Sequence, residues 1–277
     1  MFQSKESSDL PRRALLAAFG VVGAAISTAR AVAAPVSPRS ARVSLHGRPL
    51  TVVDLTHELT TAFNFAGARP RIAMEAVDGS GVAVGMNMHM LSLIEHTGTH
   101  IDVPRHFAKD GLSLGQVPIG DLVVPLAVVD MRAKAAKDRN AALEPEDILA
   151  WERRHGRLPA GCCVAMRAGW DSLEQRALSA QLPADQRGRS PGFSPQAGDF
   201  LMSQRQVKGI AVEGGSIDTG TNGPAYPFHQ AWLRSGRWGI ENMTGLDQVP
   251  PSGALLVVGA APIRDATGMP VRVLAIF

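Results

Sequence analysis

Eight short apolar runs constrain the fold of this chain more than any other feature. They are Leu50–Leu55, Val82–Ile94, Val123–Asp130, Cys162–Arg167, Gly209–Val212, Trp238–Glu241, Leu255–Ala260 and Val271–Phe277. Most are rich in Val, Ile and Leu, and such short runs read as strands with a buried face. Helix signals fall between them. Glu144–His155 has Pro145 in its first turn, Arg153 and Arg154 late, and Gly156 just beyond, in keeping with helix start, stop and dipole preferences. Ser194-Pro195 offers an N-cap followed by proline at the first helical position. Asp171–Gln181 and Phe228–Ser235 are further helix candidates. Strands outnumber helices and alternate with them irregularly. The expected fold class is therefore α/β, a compact single domain with mixed sheets. Neither a Gly-x-Gly-x-x-Gly after the first strand nor a P-loop occurs, so a doubly wound nucleotide-binding fold is not expected.

Of the 277 residues, 45% are hydrophobic and 19% charged, an ordinary globular composition with enough apolar chain for a full core. The first 33 residues read as an address. Arg12-Arg13 precedes the uncharged run Ala14–Ile26, and Ala31-Val32-Ala33 gives a small-x-small cleavage pattern. The run has 13 residues, short for a bilayer span. The arginine pair resembles a twin-arginine signal, with Pro11 where Ser or Thr is usual. This predicts a periplasmic or secreted protein, with no membrane attachment once the signal is removed. Residues 34–49, rich in Pro, Ser and Arg, read as a leader, and 50–277 as the domain. Removing residues 1–33 takes the net charge from +3 to +1, so the basic pI implies no nucleic-acid partner. Cys162 and Cys163 are adjacent. In a strand they point to opposite faces, and they read as small core residues rather than a disulfide.

Chemistry concentrates in Glu95-His96-Thr97-Gly98-Thr99-His100-Ile101-Asp102-Val103-Pro104-Arg105-His106-Phe107. Three of the chain's eight histidines fall within eleven residues there. If the stretch is extended, His96, His100, Asp102 and His106 share a face. Gly98 leaves a gap on that face, and Pro104 ends any central strand. A helix would also bring His96 and His100 together, but Thr97, Gly98, Thr99, Ile101, Val103 and Pro104 are poor helix formers. Imidazole and carboxylate donors without thiolate suit Zn²⁺ or Mn²⁺ with an open position for water. A carboxylate such as Asp102 can also bridge two metals. His57, His89 and the alternating Met86, Met88 and Met90 read as structural, the methionines as a packed strand face.

The run from His96 to His106 resembles the His-x-Gly-Thr-His-x-Asp-x-Pro-x-His signature of the cyclase family of metal-dependent hydrolases, to which bacterial kynurenine formamidase and isatin hydrolase belong. Asp54-Leu55-Thr56-His57, Met166-Arg167-Ala168-Gly169-Trp170, Gly215-Ser216-Ile217-Asp218 and Pro270–Ile276 are similar to further family segments. His229 and Glu241 resemble its distant ligands. The resemblance implies a compact β/β/α (swivelling) fold and assembly as a homodimer or higher homo-oligomer. It implies one or two Zn²⁺ or Mn²⁺ ions per chain. His96, His100 and Asp102 would hold one metal and Asp102, His229 and Glu241 a second, with His106 as acid/base. The implied activity is hydrolysis of a small-molecule amide C–N bond other than a peptide bond, in a cyclic amide or N-formyl compound. Lactone hydrolysis, cyclase or dehydratase chemistry at the same metal, and non-catalytic periplasmic metal binding are the alternatives.

Overall fold

Alternate residues of the central strands fill two separate cores. The computed structural model describes residues 39–60, 72–77, 86–170, 174, 175, 178 and 181–277. The signal segment 1–33, the start of the 82–94 run and most of the 171–181 helix candidate lie outside them. The strands come in the order β1 (Ser40–Leu45), β2 (Arg48–Asp54), β3 (Ile72–Ala76), β4 (His89–Leu93), β5 (His100–Asp102), β6 (Val123–Asp130) and β7 (Ala142–Leu143). They continue as β8 (Cys163–Arg167), β9 (Gly192–Phe193), β10 (Gly209–Val212), β11 (Trp238–Glu241), β12 (Ala254–Gly259), β13 (Gly268–Pro270) and β14 (Arg272–Ile276). The helices are α1 (Arg132–Ala135), α2 (Pro145–His155), α3 (Pro195–Gln204) and α4 (Pro227–Arg234).

Among the described residues ten strands form one sheet, in the order β1-β2-β14-β12-β6-β8-β10-β11-β5-β13. The central β6, β8, β10 and β11 run parallel, and the flanking pairs are antiparallel. Parallel strands are usually buried on both faces, which is why these read as continuous apolar runs. Ala127, Val129, Val164, Met166, Ile210 and Val212 meet Ile148 and Trp151 of α2, Leu201 of α3, and Phe228 and Trp232 of α4. Their neighbours Leu126, Val128, Cys163, Ala165 and Ala211 enter a second core with Val53, Val273, Ile101 and Ile240. That core draws on both ends of the strand order, so the sheet curls around it. Each fully buried Val, Leu or Ile contributes about 1.5–3 kcal/mol. Cys162 faces the first core and Cys163 the second. Burial pushes the Cys162 thiol up to about 12 and raises Cys163 as well, so both stay protonated packing residues.

The helix starts follow their sequence signals. Ser194 Oγ accepts the Ala197 N–H at 3.0 Å at the start of α3, and the Asp147 carboxylate in α2 accepts the Glu144 N–H at 2.9 Å. Two expectations need correction. Residues 40–49, expected as leader, form β1 and the start of β2 instead. His46 and Gly47, at φ 49° and 76°, make the tight left-handed turn that a right-twisted hairpin requires, and the Pro/Ser/Arg composition hides it. Met86, Met88 and Met90 are 55%, 44% and 64% exposed rather than packed; among the described residues β3 and β4 pair only with each other.

Candidate metal and acid–base site

The site grows from the pairing of two short strands. β5 and β11 are antiparallel, with His100 opposite Glu241 and Asp102 opposite Gly239. A period of two turns His100, Asp102 and Glu241 to one face and sends Ile101 and Ile240 into the second core. All three polar side chains are buried and could hold a metal ion together. His229, in the first turn of α4, reaches the same cluster. Its Nε2 lies 2.9 Å from Glu241 Oε1 and 3.5 Å from Asp102 Oδ2.

Outer hydrogen bonds fix which ring nitrogen points inward. His100 Nδ1–H donates to Gly98 O at 2.9 Å, leaving Nε2 at 3.4 Å from Asp102 and 3.5 Å from Glu241. His229 Nδ1–H donates to Asp218 Oδ2 at 2.6 Å. The Asp218 carboxylate also accepts the N–H groups of Phe228 and His229 at 2.9 and 3.0 Å. It therefore caps α4 and orients its histidine in one stroke, a typical support for a metal-binding imidazole. Glu241 Oε1 accepts the Ile217 N–H at 3.0 Å. His96 Nδ1 lies 2.6 Å from Asp102 Oδ1.

Electrostatics make this a place for positive charge. Burial opposes charging His100, but Asp102 and Glu241 outweigh it and push its pKa up to about 8. Burial likewise opposes a charge on His229, yet Asp102, Asp218 and Glu241 push it up to about 12. Desolvation acts against ionised Asp102, and its histidine partners hold it well below the usual carboxylate range all the same. Lone pairs on buried nitrogens facing two carboxylates are what a Zn²⁺ or Mn²⁺ shell requires, so the donor set fits a metal.

His106 is different. It ends a single 3₁₀ turn, Pro104–His106, and its ring stacks on His96 with centroids 3.8 Å apart. Burial first, then the neighbouring histidines, lower its pKa to about 4 against the pull of Asp102. Its imidazole is thus neutral at pH 7. Phe107 packs edge-on to it at 4.7 Å, and Tyr226 lies edge-on to Phe107 at 6.3 Å, so aromatic rings border this side of the cluster. His106 can also join His96 and Asp102 around an ion.

All six expected residues come together, but not along one extended face. β5 holds only His100 to Asp102. Gly98 has φ 66°, a left-handed bend that returns His96 onto Asp102, and a side chain there would meet Leu59 Cδ1 at 3.0 Å. Asp218 carries no site assignment in the sequence reading, since nothing in an eleven-residue spacing marks it as the partner of His229. Glu213 is missed too. Its carboxylate accepts the N–H groups of Ala168 and Trp170 at 2.8 and 3.0 Å and so fastens the turn at the end of β8. His57 is buried, its backbone N–H bonded to Thr99 Oγ1 at 2.9 Å, and His89 lies on β4.

Residues 53–219 match the model of the family described as "Putative cyclase". The chain belongs to that family. Isatin hydrolase of Roseibium aggregatum is 32% identical over 225 residues, covering 77% of this chain and 84% of that protein. Kynurenine formamidase of Salinibacter ruber is 39% identical over 195 residues, covering 68% and 78%. Among solved structures, isatin hydrolase A from Labrenzia aggregata bound to benzyl benzoate matches with TM-score 0.73 and 34% identity, over 82% of this chain and 93% of that one. An isatin hydrolase bound to the product analogue thioisatinate matches with TM-score 0.72 and 27% identity, over 82% and 92%. The family and the donor set agree on a metal-dependent hydrolase.

Proposed function

We propose that this protein hydrolyses the C–N bond of a small cyclic amide or N-formyl compound, with His96, His100, Asp102, His229 and Glu241 as metal ligands and His106 as acid/base. One observation carries the reading: buried imidazole nitrogens are turned inward onto two carboxylates, beside a separate imidazole held neutral. When bound, Zn²⁺ or Mn²⁺ supplies Lewis acidity, which polarises a carbonyl and acidifies water. The rest falls to the chain. Asp102 and Glu241 balance the charge of the ion, and Gly98 O and Asp218 keep His100 and His229 in the required tautomers. Neutral His106 takes the proton from the attacking water as the C–O bond forms. It gives that proton to the departing nitrogen as the C–N bond breaks, so the site ends as it began. Phe107 and Tyr226 offer aromatic walls to a planar substrate. The relatives named isatin hydrolase and kynurenine formamidase support both substrate types. The address in residues 1–33 supports export, which suits a xenobiotic or scavenged amide better than a metabolite made inside the cell. We further propose a homo-oligomer, as the motif resemblance implies.

The test is to incubate metal-loaded protein with isatin, N-formylkynurenine, cyclic imides and lactones, with and without chelator. Chelator-sensitive opening of an amide, with solvent oxygen entering the acid product, is the expected result. Turnover that ignores the chelator, or lactone turnover alone, overturns the proposal.

A further inference from the structure

His96 stands apart from the other two inward-facing histidines in how its ring is seated. His100 and His229 donate Nδ1–H outward. In His96 the outward nitrogen is Nε2, which meets Thr267 Oγ1 at 2.9 Å. Thr267 directly precedes β13, the edge strand beside β5. Its hydroxyl also makes a very short contact with the Glu95 carboxylate, and its backbone N–H donates to the same oxygen at 3.2 Å. The proton count then decides which way these bonds run. An ionised carboxylate only accepts, and a hydroxyl has one proton to give. Thr267 Oγ1–H goes to Glu95, so Oγ1 accepts from His96 Nε2–H. His96 Nδ1 is thereby turned onto Asp102 Oδ1 at 2.6 Å, a gap that a proton closes and where a metal ion, in place of that proton, would be met by the nitrogen lone pair. The next residue completes the seat. A Cβ on Gly268 would sit 2.6 Å from His96 Cε1 and 3.0 Å from its Nδ1, so only glycine leaves room for the ring.

We infer that Glu95, Thr267 and Gly268 form a positioning seat that fixes His96 as an Nδ1 metal ligand, while His100 and His229 bind through Nε2. The inference rests on the metal-hydrolase reading. Thr267→Val removes the acceptor at nearly constant volume. It is expected to weaken Zn²⁺ binding by about 10–100-fold, the usual cost of losing a partner that orients a ligating histidine. Thr267→Ser keeps the hydroxyl and restores most of the affinity. Gly268→Ala presses on both the His96 ring and the Ile101 carbonyl of β5 and is expected to weaken binding as well.

The readout is Zn²⁺ affinity by chelator competition on the full chain, with circular dichroism confirming that each variant is folded. The visible spectrum of the Co²⁺-substituted protein reports the ligand shell and is expected to change in Thr267→Val and return in Thr267→Ser. Wild-type affinity and spectrum in Thr267→Val overturn the seat and leave the metal site standing. A serine variant as weak as the valine variant also overturns it, since the hydroxyl would then not be the operative group. Failure of the wild type to bind Zn²⁺, Mn²⁺ or Co²⁺ overturns the metal-hydrolase reading itself.

Discussion

Replacing His106 by alanine is expected to leave metal binding intact and to lower kcat by about 10²–10⁴-fold, the usual worth of a positioned acid/base. Metal analysis and steady-state kinetics on one preparation check this, and equal turnover would remove the assignment. Asp218→Ala acts on the other side of the site. It frees His229 Nδ1 and uncaps α4, so metal affinity is expected to fall by about 10–100-fold, measured by chelator competition. What the sequence disclosed follows from this contrast. The clustered residues were readable because a dense motif holds four of them, and family resemblance supplied the proposed ligands His229 and Glu241. Asp218, Glu95 and Thr267 were not assigned roles, because each works through a contact that only the fold creates, and their residue types are common everywhere. Thr267 meets His96 across a separation of 171 residues.

At the level of elements, most long strands and helices were legible, since apolar runs and caps are local signals. β6, β10 and β11 fall where the apolar runs begin and end. The short pieces β5, β7, β9 and β13 were not, because two or three residues carry no period and are extended only by pairing. The β1–β2 turn was hidden for a related reason: His46 takes a positive φ that its residue type does not advertise. The bend before β5 offers the cleanest test of this local geometry. Gly98→Ala forces a Cβ into the left-handed region and against Leu59. It is expected to lower stability by about 1–2 kcal/mol, read by denaturant unfolding of metal-free protein, and to weaken metal binding as His96 shifts. A variant as stable as wild type would show that the bend relaxes freely.

For the whole molecule, the ion and the fold are thermodynamically linked. A ligand that binds only the native state at a thousand times its Kd adds about 4 kcal/mol, so chelation is expected to lower Tm. The effect has a pH sign. In metal-free protein the pKa of His100 is raised to about 8, above its unfolded value near 6.5. Its stabilising contribution is complete below the unfolded value and is lost as pH climbs through about 8. Metal binding, by contrast, must expel protons from His100 and His229 and grows stronger over the same range. The gap in Tm between loaded and chelated protein is therefore expected to widen from about pH 6.5 to 8, as thermal scans at several pH values will show. A constant gap would mean that neither histidine exchanges a proton for the ion.

The contact between Glu95 and Thr267 also dictates an order of events. Thr267 is the 172nd residue a ribosome adds after Glu95, and β14, which closes against β2, comes later still. A nascent chain therefore has no finished cage to offer an ion. A metal that depends on this contact is expected to settle in the completed fold and to add to the durability of the protein rather than to the speed of its folding. Raising metal concentration should slow unfolding and leave the refolding rate untouched.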